Sequence, residues 1–344
     1  MKKWQEWNKG ILICDKYRIL EILGRGNIAI TYLASDENAQ KRVVIKTLKP
    51  DLLNNLTESE INDLKDKFWK EAVNLSKCQH DYIVNFLDAL NDPETGLVYI
   101  IMEYIDGKNL GSYKKIWSHR EVLKYIRQIG EALRYIHDKG IIHCNLKPDN
   151  IILQNDNPHK AVLIGFSLAQ TFNHPLTRIN SDSAGSFTPI ELFSKEKLGD
   201  FTDIYSLSAT LYFLLTKEKP PSVKNRTLAS RIDNQSKTDL IEPKKIVKLN
   251  YRVNHAIIKG MEIDPKKRPQ SVQEWFELLG LKSGNRWYYW WKMLLILKKI
   301  DPIIGIVSII VGIVGIIIAI SEFSNNPSVP PVPNYRENQQ DQQK

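Results

Sequence analysis

The chain has 344 residues, 42% of them hydrophobic, enough for one large domain or for two lobes with separate cores plus an appendage. Its formal charge of +9 is interspersed with 39 acidic residues, and with no nucleic-acid-binding motif in the chain no nucleic-acid partner is expected. Cys14, Cys78 and Cys144 are odd in number and widely spaced, with no CxxC pair, so they read as free thiols of a reducing compartment and neither disulfides nor zinc ligands.

In chain order, Met1 to Asn8 carries two lysines and two tryptophans but no apolar core, so no secretory signal peptide is expected there. Tyr17-Arg-Ile-Leu-Glu-Ile-Leu23 and Ile30-Thr-Tyr-Leu-Ala34 read as strands around a glycine turn, and Arg42-Val-Val-Ile-Lys46 as a third. Glu58 to Lys77 has rough helical spacing through Leu64, Phe68, Val73 and Leu75, and Leu97 to Met102 is a further short strand. After Gly107 the pattern turns helical. Ser118-His-Arg-Glu121 is a capping box, Val122, Ile126, Ile129, Leu133 and Ile136 follow on one face, and Gly140 is expected as the terminating C′ residue. Asp203 to Leu215 and Val272 to Leu279 are predicted helices. A β-rich first part and a helical second part imply two lobes and a cleft, where pockets tend to form.

Beyond these lies a different composition. Leu281 to Ile300 holds Lys282, Arg286, Lys292, Lys298 and Lys299 with no acid, and includes the cluster Trp287-Tyr-Tyr-Trp-Trp291. Such a basic, aromatic block suits a lipid surface. Ile303 to Ile320 is 18 residues of Ile, Val, Gly, Ala and one Ser. As a helix it spans roughly 27 Å, close to a bilayer's hydrocarbon core. A buried core helix is the alternative, but one apolar on every face and placed after the domain would have nothing soluble to pack against. Five basic residues precede the run, whereas Arg336 and Lys344 in the tail are offset by Glu322, Glu337 and Asp341. The positive-inside rule then places residues 1–302 in the cytoplasm. Gly305, Gly312 and Gly315 form no GxxxG, and the Pro-, Asn- and Gln-rich tail is expected to be disordered.

The ordered motifs of the first part carry a resemblance. Gly24-Arg-Gly26-Asn-Ile-Ala29 follows a strand, Lys46 sits in Val-Val-Ile-Lys, and Glu71 falls in the next helix. His143-Cys-Asn-Leu-Lys-Pro-Asp-Asn150, Ile164-Gly-Phe-Ser167, Thr188-Pro-Ile-Glu191, Asp203 and Arg268 follow in that order. The series resembles the protein-kinase family over about residues 15 to 280, and bacterial serine/threonine kinases in particular. The resemblance implies an α+β fold with a small β-rich lobe (15–105) and a larger helical lobe (106–280). A juxtamembrane segment (281–302), a transmembrane helix (303–320) and an extracytoplasmic tail (321–344) would follow.

It also implies an ATP site. Leu23, Gly24 and Gly26 would line it, the glycines bringing backbone N–H groups to the phosphates. Lys46, paired with Glu71, would hold the α- and β-phosphates. Met102 would be the gatekeeper and Glu103 to Ile105 the hinge that meets adenine. Lys147 would approach the γ-phosphate, and Asn150 would bind a metal ion. Asp203 would support the catalytic loop and Glu191 would pair with Arg268, roles that serve stability as readily as function.

The sequence departs from the family at the chemistry. The catalytic-loop His-Arg-Asp is His143-Cys144-Asn145, and an amide accepts a hydrogen bond but no proton at neutral pH. The Asp-Phe-Gly triplet is Gly165-Phe166-Ser167, so the carboxylate that anchors Mg²⁺ is missing, unless the neighbouring Asp149 swings in. Cys144 replaces the arginine that reads activation-segment phosphate, and Ala29 replaces a third glycine. The leading expectation is a membrane-anchored pseudokinase that binds ATP, with Mg²⁺ weak or absent. It would act through an unknown cytoplasmic protein partner and the lipid bilayer. The alternatives are a serine/threonine kinase of low or atypical activity and a kinase-fold module that binds no nucleotide.

Overall fold

The computed structural model describes residues 4–92, 96–157, 159–166, 185–193, 197–232 and 240–281. The basic aromatic stretch after Leu281, the hydrophobic run 303–320 and the tail lie outside the described residues. Among the described residues no helix is long and apolar enough to cross a membrane.

The small lobe is a six-stranded antiparallel sheet of β1 (Leu12–Ile13), β2 (Tyr17–Arg25), β3 (Ala29–Asp36), β4 (Lys41–Leu48), β5 (Phe86–Asn91) and β6 (Val98–Glu103), ordered β1-β2-β3-β4-β6-β5. Register decides which side chains face the cleft. Thr31 pairs with Lys46, which pairs with Ile100, while Tyr32 pairs with Ile45 and Ile45 with Ile101. Successive side chains of a strand point to opposite faces. Lys46 and Met102 therefore share one face, and Tyr32, Ile45 and Ile101 share the other.

The short helix α1 (Pro50–Leu53) leads to α2 (Glu58–Ser76), which opens with a capping box between Thr57 and Glu60. Helix α2 buries Leu64, Phe68, Glu71, Ala72 and Leu75, so a carboxylate stands in its apolar stripe. The far face of the sheet is covered by the N-terminal segment. The Trp7 ring lies 4.8 Å from Tyr32 and 5.0 Å from Tyr99, and the Trp7 N–H donates to the Tyr32 hydroxyl. Glu6 meets the Arg25 guanidinium at 2.8 and 3.2 Å, and Trp4 exchanges two hydrogen bonds with Asn54. Residues 4–13 thus pack as part of the small lobe, ahead of the expected start at residue 15.

The large lobe is built on α3 (His119–His137) and α4 (Asp200–Thr216). The predicted capping box of α3 is present, Ser118 accepting from the Glu121 N–H and Glu121 from the Ser118 N–H, and its predicted apolar face is buried. The helix stops at His137, earlier than Gly140 implied. A tight turn of Lys139 and Gly140 N–H groups onto Ile136 and His137 carbonyls intervenes, with Gly140 at φ +72°. A three-stranded sheet of β7 (Gly107–Asn109), β8 (Ile151–Gln154) and β9 (Ala161–Leu163) faces the cleft, and α5 (Val223–Ile232), α6 (Tyr251–Gly260) and α7 (Val272–Leu279) complete the lobe. α4 is apolar and buried along nearly all its length, and Gly260 of α6 makes room for it: a Cβ there would lie 1.9 Å from the Ser208 Oγ.

One ion pair ties these elements together. Arg268 and Glu191 are both fully buried and joined by two bonds of 2.7 and 3.0 Å. The remaining Arg268 donors go to the carbonyls of Glu262, Phe201 and Ile263, so all five N–H groups of the guanidinium are satisfied. Arg268→Ala leaves a buried, uncompensated carboxylate and is expected to cost about 3–5 kcal/mol, read from the urea midpoint. The Arg268→Met/Glu191→Met double variant is expected to recover much of that loss.

Candidate functional site

The cleft face of β4 carries Lys46 toward α2. Its Nζ lies 2.5 Å from the Glu71 Oε1 and 3.0 Å from the carbonyl of Phe166. Burial pushes the Glu71 carboxyl up, and the Lys46 ammonium pulls it back. An ammonium has three donors, and these two contacts leave one. Gly24 and Gly26 sit where β2 turns into β3, closed by the Gly26 N–H on the Ala29 carbonyl at 2.8 Å, and Leu23 beside them is exposed. Nothing lies within 4 Å of a Cβ position at Gly24. Met102 and Ile105 are buried at the lobe junction. The Glu103 carboxylate turns to the Asn85 N–H and amide at 2.8 and 3.0 Å, leaving only the backbone of the 103–105 segment to meet a ligand.

Across the cleft the loop after α3 is fixed by Asp203. Its carboxylate accepts from the His143 N–H and the Cys144 N–H, each at 2.8 Å, and lies 2.8 Å from the His137 Nε2. Cys144 holds φ +61°, an uncommon conformation for a residue with a side chain, and these bonds keep it there. The buried Cys144 thiol has its pKa raised by desolvation, so it is inert. His143 is fully buried against the Phe166 ring, its Nδ1 accepting from the Asn145 N–H and its Nε2 meeting the Ile164 carbonyl. Burial lowers its pKa, consistent with a neutral ring carrying the proton on Nε2.

The three positions at which the chemistry was expected come together. The Asn145 Nδ2 donates to the Gly165 carbonyl at 3.2 Å, and the Asn150 Nδ2 to the Asn145 carbonyl at 2.6 Å. Gly165 has φ +73°, and a Cβ there would lie 2.9 Å from the Asn150 Cγ and Oδ1. Asp149 faces away: its Oδ1 lies 2.3 Å from a Cβ position at Gly111, in the turn after β7. Lys147 is half-buried at the start of the Pro148–Asn150 turn. The side chains at 145, 150 and 165 therefore offer amides and no carboxylate. Among the described residues no group of three or more His, Cys, Asp or Glu side chains is placed to hold a metal ion.

Residues 17–277 match the protein kinase domain family. The chain belongs to the protein kinase family. Serine/threonine-protein kinase D of Synechocystis sp. is 31% identical over 281 residues, covering 78% of this chain and 52% of that protein. Serine/threonine-protein kinase PknB of Mycolicibacterium smegmatis is 27% identical over 269 residues, 76% of this chain and 42% of that protein. The chain thus spans about half the length, or less, of these curated relatives. Among solved structures, the apo form of PpkA-294 aligns with a TM-score of 0.64 at 21% identity over 80% of this chain and 99% of that one. The PknI kinase domain of Mycobacterium tuberculosis aligns with a TM-score of 0.60 at 18% identity over 80% and 99%. Both show the two-lobed fold. Kinases of this family bind ATP and Mg²⁺ between the lobes, the cleft that Lys46 and Glu71 line here.

Sequence reasoning missed His137. Its Nε2 contacts Asp203, and its Nδ1 lies 3.5 Å from the Asp200 Oδ2, close enough for charge but not aligned for a hydrogen bond. Burial disfavours the imidazolium, but Asp200 and Asp203 outweigh it and raise the pKa to about 9. A histidine in the last turn of α3 with aspartates in the first turn of α4 was the available signal. A folded value of about 9 against roughly 6.5 in the unfolded chain gives stability that is complete below pH 6.5 and lost as pH rises through 9. The unfolding free energy of residues 1–282, from denaturant titrations, is expected to fall by about 3 kcal/mol across that window, and His137→Gln is expected to flatten the slope. Gly165→Asp must displace Asn150 from Asn145 and is expected to cost about 1–3 kcal/mol in the same assay.

Proposed function

We propose that the chain is a membrane-anchored pseudokinase that binds nucleotide and acts as a signalling or scaffold module on the cytoplasmic face. The observation that carries this reading is the bond from the Asn145 amide to the Gly165 carbonyl. It joins the two positions at which the family places the substrate-orienting base and the principal metal ligand. Asn145 cannot take the hydroxyl proton, a loss worth about 10²- to 10⁴-fold in rate. Gly165 offers Mg²⁺ nothing, Asn150 is a neutral ligand turned toward Asn145, and Asp149 is turned to Gly111. The residues at the metal position do not fit the ion. Both losses bear on one transition state, so their costs do not simply add.

What remains suits a nucleotide. The Lys46 ammonium, oriented by Glu71, has a donor left for phosphate oxygens. The glycine turn leaves open space beside Gly24, although the Gly26 N–H is taken by the Ala29 carbonyl, and the 103–105 backbone lies where adenine would sit. Anchoring rests on the 303–320 run and the basic block before it, with residues 1–302 on the cytoplasmic side. Such a domain would act by binding a partner differently in its nucleotide-bound and free states. The formed Lys46–Glu71 pair and the names of the curated relatives favour a second reading, a serine/threonine kinase of low activity.

The two separate in one experiment on residues 1–282, thermal shift with ATP in Mg²⁺, Mn²⁺ or EDTA alongside radiolabelled phosphotransfer. The pseudokinase reading expects about 2.7 kcal/mol of stabilisation at 100-fold excess over Kd, a shift of several degrees that EDTA leaves intact, and no transfer. Lys46→Met is expected to abolish the shift. Metal-dependent transfer at ordinary kinase rates, lost in Lys46→Met, would sink the reading in favour of the second.

A further inference from the structure

Acidic residues occur about once in nine along the chain, yet none lies between Glu242 and Glu262, a stretch that holds Lys244, Lys245, Lys248, Arg252 and Lys259. The fold gathers the first four at one edge of the large lobe. The Pro243–Lys245 turn packs on α6, with the Lys244 N–H bonded to the Asn254 side chain of that helix at 2.9 Å, and Tyr251 and Arg252 form its first turn. Lys244, Lys245, Lys248 and Arg252 are exposed. Glu242 neutralises Lys244 at 2.8 Å, whereas Lys248 and Arg252 pair with no described carboxylate. Two apolar side chains stand out of the same edge: Tyr251, 72% exposed and stacked on His255, and Ile241, 51% exposed.

The same edge is where the chain leaves the lobe. Helix α7 ends at Leu279, and a Cβ at Gly280 would lie 2.8 Å from the Arg252 Nη1. The exit at Leu281 is therefore beside Arg252. The next 19 positions, to Ile300, add five basic residues and no acid, and after Asp301 and Pro302 the hydrophobic run begins at Ile303. As a random coil 22 residues separate their ends by about 23–28 Å, and as a helix by about 33 Å. A short tether of that kind holds the exit edge at millimolar effective concentration beside the bilayer. Each exposed Lys or Arg adds roughly fivefold to partitioning onto an anionic surface, and an exposed tyrosine suits the headgroup layer.

We propose that the edge formed by Lys245, Lys248, Tyr251 and Arg252 docks on the anionic lipid headgroups of the bilayer that anchors the chain. The inference rests on the anchoring reading. Docking fixes the large lobe against the membrane instead of leaving it to swing on its linker, and it makes the domain's orientation depend on lipid charge and ionic strength.

The test uses the full chain in nanodiscs of phosphatidylcholine with or without phosphatidylserine, followed by backbone amide exchange. Exchange over residues 244–255 is expected to slow at least about threefold in the anionic discs. High salt is expected to remove that protection, as is the Lys245→Glu/Lys248→Glu/Arg252→Glu variant. Exchange in α4 is expected to stay unchanged, reporting an intact fold, and Lys41→Glu in the small lobe is expected to keep the protection. The milder Lys245→Gln/Lys248→Gln variant serves if the triple reversal disturbs α4. An embedded chain whose 244–255 amides exchange alike in both discs overturns the docking and leaves the anchoring intact. A chain that carbonate strips from vesicles overturns the anchoring, and the docking with it.

Discussion

The organisation of the cleft depends on one buried carboxylate. Asp203, in the first turn of α4, gathers the backbone N–H groups of His143 and Cys144 and the ring of His137. A buried charge is tolerated only when its lone pairs are filled and its charge is matched, and here two N–H donors and an imidazolium do both. Those bonds hold Cys144 in its left-handed conformation, and Cys144 in turn aims Asn145 at Gly165. The loop is thus placed by the interior of the large lobe, independently of what its tip offers to a substrate. Arg268 and Glu191 do the corresponding work at the far side of α4, again by complete saturation of a buried charge.

The small lobe answers with Lys46. Its ammonium bonds both α2, through Glu71, and the loop after β9, through the Phe166 carbonyl, so one side chain links the two lobes. Phe166 packs on His143, which bonds Asn145 and the Ile164 carbonyl. A continuous set of contacts therefore runs from α2 through the cleft floor to α4. A nucleotide phosphate that met Lys46 would enter that set at its first member. Every link in that set is a protein hydrogen bond or ring contact.

Much of this was legible in the sequence, where the signals are local. The Ser118–Glu121 capping box, the apolar face of α3 and the Val272–Leu279 helix were read directly, because a cap and a 3.6-residue period are written in adjacent residues. The pairing of Lys46 with Glu71 and of Glu191 with Arg268 followed from the family resemblance, not from spacing. What escaped was either short or long-range. β7, β8 and β9 have only three or four residues each and show no alternation, so they carry no periodic signal. Trp4 and Trp7 cover the outer face of the sheet through contacts with Asn54, Tyr32 and Tyr99, which no local pattern announces. Asn145 and Gly165 read as two separate departures from a motif; that one donates to the other's carbonyl across 20 residues is a fact of the fold.

The pattern of kept and lost carboxylates has a physical logic. Glu71, Glu191 and Asp203 each pair with a protein group, and removing Glu191 or Asp203 would leave a buried cation or a row of N–H groups unmatched, at a cost of several kcal/mol. The positions held by Asn145 and Gly165 are different. In a catalytic kinase the carboxylates there face a substrate hydroxyl and a metal ion, which are solutes and not parts of the fold. An aspartate at 145 in the present conformation would set a carboxylate oxygen against the Gly165 carbonyl with no proton between them, whereas the amide supplies that proton. The site as it stands is internally satisfied: amide to carbonyl, amide to carbonyl, and a glycine that leaves room for Asn150. Stability alone gives no reason for the carboxylates to stand there, and a chain can shed them while keeping the two-lobed frame, the Lys46–Glu71 pair and the cleft between them intact.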